Sequence, residues 1–251
     1  MRKRNFFILI LFILLSLPTP VYARAGGGGG SSGGAGSGSS GHSSSSHRST
    51  GPYSPIVNVI QTGAFCLFAS AGSIIFSVNL YKKKKKSQNL LKEIDDSDQS
   101  WNQDSLNHHI EETYYSVQQA WSKKDLSTLQ KYLSPQLYER WLIKLNFMDL
   151  RHEENVLKNI KLLDYKIVSV HDFQENEKDS FWVYINGKMI DYTIDTTTKE
   201  IKDGSTKPSE FIEYWRFIRN KESFVLDEIA QKEDKNLDAF TDFSENNSSQ
   251  E

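Results

Sequence analysis

Apolar positions over residues 104–231 change their period once. In "HHIEETYYSVQQAW", Ile110, Tyr114, Val117 and Trp121 recur at helical spacing, which predicts an amphipathic helix with one buried stripe. Asp125 then stands where it can cap a short helix, "LSTLQKYL". Ser134-Pro135 puts a cap and a first-turn proline ahead of a third helix, whose stripe is Leu137, Trp141, Leu145 and Met148. After that the pattern becomes strand-like. "IKLLDYKIVSV" (160–170), "DSFWVYI" (179–185), "KMIDYTID" (188–195), "EFIEYWRFIRN" (210–220) and "SFVLDEI" (223–229) are rich in β-branched and aromatic residues. Asn186-Gly187, between the second and third runs, predicts a hairpin turn. Helices followed by a mostly antiparallel sheet make an α+β domain, with the helices packed on one side of the sheet.

The first hundred residues follow a different pattern. Arg2, Lys3 and Arg4, an apolar run from Phe6 to Leu15, and Val21-Tyr22-Ala23 have the three parts of a secretory signal peptide, residues 1–23. Residues 24–51 are almost entirely Gly, Ser and Ala and read as a flexible tether. Ile56 to Tyr81 carries no charge and is long enough for a transmembrane helix, since a bilayer core of about 30 Å takes about 20 helical residues. Residues 82–103, first basic and then acidic, read as a juxtamembrane linker, and residues 232–251 as a disordered acidic tail.

Charge refines this division. All 32 acidic residues lie at or after Glu93, whereas ten of the 30 basic residues lie at or before Lys86. Lys82, Lys83, Lys84, Lys85 and Lys86 abut the apolar run. By the positive-inside rule they place the C-terminal domain in the cytoplasm and the tether outside a cell membrane. They can also draw an anionic leaflet. Nucleic acid is excluded as a partner, because the following domain is acidic and would repel it. Ala69, Ser73 and Ser77, four residues apart, offer a small-residue face for homo-oligomer formation. Cys66 is the single cysteine, so no internal disulfide forms. Asn246 and Asn247 begin Asn-x-Ser matches on the side where no glycan is added.

Candidate chemistry is sparse. His108, His109, His152 and His171 lack metal spacing, and no cofactor motif is present. Gly187 and Gly204 fall in predicted turns. Asp191 and Glu213 lie on strands among aromatics, where a carboxylate of raised pKa could be a general base. The simpler alternative for each is an ion pair with Arg216 or Arg219, or a solvated face. Strand alternation puts Trp182 and Tyr184 on one face and Phe181, Val183 and Ile185 on the other, while Trp215 and Phe217 share a face with Phe211 and Glu213. Two apolar faces suggest a concave binding surface.

Four blocks, "QQAWSKKDLSTLQKYLSPQLYERW", "NVLKNIKLLDYKIVSV", "KDSFWVYINGKMIDYTID" and "SEFIEYWRFIRNKESFVLDEI", resemble in order the Tim44-like domain across residues 104–231. The Asp-x-Phe strand, Asp191-Tyr192 and the "EYWRFIR" block carry the likeness. The resemblance implies a cone of helices and curved sheet similar to the nuclear transport factor two fold, with an apolar cavity and a role in membrane or protein attachment. It makes Trp121, Trp182, Tyr184, Asp191, Tyr192, Glu213, Tyr214, Trp215 and Arg219 the candidate groove or motif residues. The secretory signal and membrane helix depart from the mitochondrial members and look like bacterial membrane-anchored proteins with this domain, so a direct role in driving preprotein import does not carry over. The expected function is a non-enzymatic module that binds a membrane or cytoplasmic protein, or lipid, at the cytoplasmic face, in membrane protein transport or assembly. The alternative is a small-molecule enzyme with Asp191 or Glu213 as base.

Overall fold

The structure, a computed structural model, describes residues 55–245, with side chains from Ser73 onward. The expected signal peptide, the tether, the Ala69 and Cys66 side chains and both Asn-x-Ser matches lie outside the described residues.

Among the described residues, four α-helices precede the sheet: α1 (Pro55–Asp95), α2 (Gln103–Lys123), α3 (Leu126–Tyr132) and α4 (Pro135–Leu150). The caps are those the sequence offers. The Asp125 side chain accepts from Thr128 N at 3.2 Å, and Ser134 Oγ accepts from Leu137 N at 3.2 Å ahead of Pro135. The predicted stripes of α2 and α4 are buried throughout.

Five strands follow: β1 (Glu153–Asp172), β2 (Ser180–Asp195), β3 (Ile201–Asn220), β4 (Ser223–Gln231) and the two-residue β5 (Phe243–Ser244). They form one sheet of order β4-β3-β2-β1-β5, antiparallel except for β5, which runs parallel to β1. Register shifts between Lys158 and Lys161, Leu162 and Asp164, and Ile167 and Ser169 bend β1 and help curl the sheet over the helices. Side chains of α2 meet main-chain groups of β1: Tyr114 Oη donates to Lys161 O, Leu162 N donates to Tyr115 Oη, and Leu157 N to Ser122 Oγ. Strand edges need such cover.

The main core joins all four helices to the inner sheet face through Leu91, Ile94, Trp121, Leu129, Trp141, Phe181, Val183, Trp215 and Phe217. A second cluster forms on the other face around Trp182, Tyr184 and Tyr214.

Four expectations are corrected. Asn186-Gly187 is not a hairpin turn: β2 runs straight through it, with Asn186 opposite Asp164 and Ile212, and Gly187 opposite Leu162 and Phe211. Glycine is needed there for close approach, because a Cβ would come within 2.4 Å of Phe211 Cζ and 2.5 Å of Tyr114 Oη. Gly204 lies within β3 rather than in a turn, beside a register shift and with φ of +86°. Residues 82–103 are not a polar linker, since α1 continues to Asp95 and buries Leu80, Ser87, Leu91 and Ile94 along one side. The start of the tail is ordered as well, with Leu237 and Phe240 buried and β5 paired to β1.

An unbroken helix covers the stretch read as a transmembrane span, Ile56 to Tyr81, but most of that span's side chains lie outside the described residues. Among the described residues, no helix is long and apolar enough to cross a membrane.

Candidate functional site

Eight of the nine candidate residues fall into four places, and Tyr192 stands apart. Trp121 and Asp191 meet in the inner core through a residue that sequence reasoning missed, Asn155. Its amide donates to Asp191 Oδ1 at 2.8 Å, and its carbonyl accepts from Trp121 Nε1 at 3.0 Å. Antiparallel pairing of β1 with β2 puts Asn155 opposite Thr193, close to Asp191 on the same sheet. Tyr192, the next residue, turns to the other face and lies half-buried under Lys158 Nζ.

Glu213 and Trp215 form the second place. Two residues apart on β3, they share a face, and Trp215 Nε1 donates to Glu213 Oε2 at 3.0 Å while Gln231 from β4 donates to Oε1 at 3.0 Å. Both carboxylates are buried and accept hydrogen bonds from neutral side chains. The expected ion pairs with arginine are replaced by these bonds. Arg216 instead pairs with Asp227, and Arg219 with Asp98 at 3.0 Å and Asp179 at 3.7 Å.

That arginine is the third place. It is nearly enclosed at the end of β3, and Asp179 beside it is buried more deeply than Asp98. Burial, reinforced by the neighbouring Asp172, pushes the Asp179 carboxyl up to about 6. Burial also acts against the charge of Asp98, but hydrogen bonds from Ser100 and Arg219 outweigh it and hold that carboxyl below its ordinary value.

Trp182, Tyr184 and Tyr214 gather on the outer sheet face, as alternation requires. This face is not an open concave surface, because the chain covers it twice. Phe76 of α1 reaches Tyr184 with ring centroids 6.1 Å apart, and Leu80 is buried beside it. From the other end of the chain, Phe240 lies 4.7 Å from Tyr214 and 5.3 Å from Trp182. Lys235 and Arg216 flank the Trp182 ring at 4.5 and 5.8 Å. Burial raises the phenol of Tyr184 and takes that of Tyr214 to about 12, so neither is an acid or base near neutral pH.

The five lysines divide by helical phase. Lys83 points to the segment after β4 and donates to Asp238 O and Phe240 O. Lys86 stands 3.9 Å from Asp242. Lys82 and Lys85 are exposed, and Lys84 is half-buried. Ser73 and Ser77 are exposed too, with Ser77 Oγ donating to Ser73 O at 2.9 Å.

One further surface escaped the sequence reading. Opposite its buried stripe, α4 exposes Ile143, Phe147 and Leu150 at 56, 57 and 76 %. Their spacing of four and three, offset from the buried stripe, was the available signal. Among the described residues, no three His, Cys, Asp or Glu side chains converge as metal ligands would.

Chemically, the arrangement offers apolar and cationic contact surface, and carboxylates already engaged by their neighbours. The family model for the Tim44-like domain matches residues 87–231, more than half of the chain and starting on α1 rather than at Asp104. Domains of this family take part in protein-translocation interactions and associate with membranes. No curated protein matches the chain. Among solved structures, the crystal structure of the intermembrane space region of the chloroplast protein ARC6 is similar at 9 % identity with a TM-score of 0.39, over 51 % of this chain and 93 % of that one.

Proposed function

This chain belongs to the Tim44-like domain family, and from that premise we propose that its C-terminal domain is a non-enzymatic interaction module. In this reading it is anchored at the cytoplasmic face of a membrane, where it grips a protein partner or lipid in membrane protein transport or assembly. The observation that carries the reading is the unbroken α1. A helix that emerges from an apolar stretch and is then buried in the domain as far as Ile94 holds that domain at a fixed place. Fixed location serves a scaffold, whereas most enzymes acting on soluble substrates gain nothing from it. The enzymatic alternative needs Asp191 or Glu213 to move a proton, and each is enclosed and hydrogen-bonded by neutral side chains of the fold.

The test is photo-crosslinking in intact membranes from position 147 on the exposed stripe of α4, followed by mass spectrometry. A defined protein, lost when Ile143 and Leu150 are changed to serine, is the expected result. Recovery of only bulk lipid and the chain itself would remove the protein partner. Orientation has a separate check: a reporter that works only in the cytoplasm, fused after residue 251, is active in this reading, and an inactive one reverses it.

A further inference from the structure

The second cover over the outer sheet face has the form of a bound peptide. Between β4 and β5 the chain makes one short 3-10 turn, Leu237–Ala239, and so seats two apolar anchors, Leu237 and Phe240, beside Trp182 and Tyr214. Its main chain is held chiefly by side chains: Lys83 donates to Phe240 O, and both Ser169 Oγ and the His171 ring meet Thr241 O. Asp242 is bound like a ligand, accepting from Ser87 Oγ at 2.7 Å and Val170 N at 3.1 Å with Lys86 nearby. Only two residues then pair with β1. The segment carries Asp238, Asp242 and Glu245 against the single lysine Lys235, and its groove presents Lys83 and Lys86. It also lies beyond the span matched by the family.

We infer that the Trp182–Tyr214 face is a binding groove for a short acidic segment of a partner protein, with two apolar anchors three residues apart across a single turn, and that residues 235–245 occupy it as a displaceable strap. The inference deepens the interaction-module reading and rests on it. Two anchors and a two-residue ladder give the strap little cooperative connection to the sheet, so it opens locally while the core stays folded. An incoming segment adds to the edge of β1 where β5 lies and must first displace the strap, so the intact chain binds more weakly by the fraction of time the groove is open.

The probe is a fluorescent peptide of residues 235–245, measured by anisotropy against the full chain in detergent and against a chain ending after Glu233. A control peptide carries serine in place of Leu237 and Phe240. Saturable binding to the shortened chain, at least about tenfold tighter than to the full chain and absent for the control, is expected. Equal binding of both peptides, or none by a shortened chain with native circular dichroism, overturns the inference. If the shortened chain does not fold, hydrogen exchange on the full chain decides: the Phe240 and Glu245 amides must exchange at least about a hundredfold faster than those of β2, and exchange together with β2 overturns the strap. A full-length dimer that disappears on shortening assigns the groove to a second copy instead of a partner. Failure of peptide binding together with a crosslinked partner at α4 refutes only the groove, whereas groove binding with only lipid crosslinked at α4 moves the partner contact away from that helix.

Discussion

Arg219 serves two carboxylates unequally, and the difference can be measured. Asp179 has its carboxyl raised from 3.8 to about 6, mainly by burial. Between those values the folded state keeps a proton that the unfolded chain has released, so this group's contribution to stability falls as pH rises and is lowest above about 6. Asp98, held below its ordinary value, acts in the opposite sense, its contribution present above 3.8 and lost as pH falls through its folded value. Asp179→Asn should therefore stabilise the protein by about 2 kcal/mol at pH 7 to 8 and give no gain near pH 4, as read by urea unfolding across pH. Gly187 makes a steric prediction. Alanine there must displace Phe211 and the enclosed Tyr114, at a cost of about 1–3 kcal/mol, and Phe211→Leu in the same chain should restore part of the loss. Asn155→Ala removes partners from two buried groups and should cost about 3 kcal/mol without altering the sheet's circular dichroism.

At the scale of elements, each missed feature has a physical reason. The stripes of α2 and α4 were legible because Ile110, Tyr114, Val117 and Trp121 stand among polar residues. The inner side of α1 was not, because five lysines lie between Leu80 and Leu91, and their stems follow the helix surface while their charges reach water. Asn186-Gly187 has the composition of a turn, but pairing on both sides and contact with α2 overrode that local preference. Leu237 and Phe240 form too small an apolar set to distinguish a seated strap from a disordered tail. Asp191 and Glu213 could be placed on strands, but their partners Asn155 and Gln231 come from other strands, and register is not readable locally. The two stripes of α4 supply a matched pair of variants. Trp141→Ala should cost about 3–5 kcal/mol, whereas Ile143→Ser should stay within about 0.5 kcal/mol in denaturant unfolding and yet weaken partner crosslinking from position 147.

For the whole molecule, the docking of α1 resets where a bilayer can begin. Phe76 is taken by Tyr184, and Lys232 Nζ stands 4.8 Å from its ring. In the membrane-anchored reading this leaves Ile56 to Ile75, about 20 residues or about 30 Å of helix, for the hydrocarbon. A cysteine placed at Ser77 should then react with a membrane-impermeant maleimide applied from the cytoplasmic side, while native Cys66 stays protected. Equal protection of both would put the domain's edge inside the bilayer. In the same membrane-anchored reading the continuous α1 joins span and domain without a hinge and works as an axle. Each alanine inserted just before Phe76 would turn the domain by about 100° and lift it by about 1.5 Å, so partner crosslinking across an insertion series should rise and fall with a period of about 3.6 residues. The phase of that oscillation would report which side of the domain faces its partner.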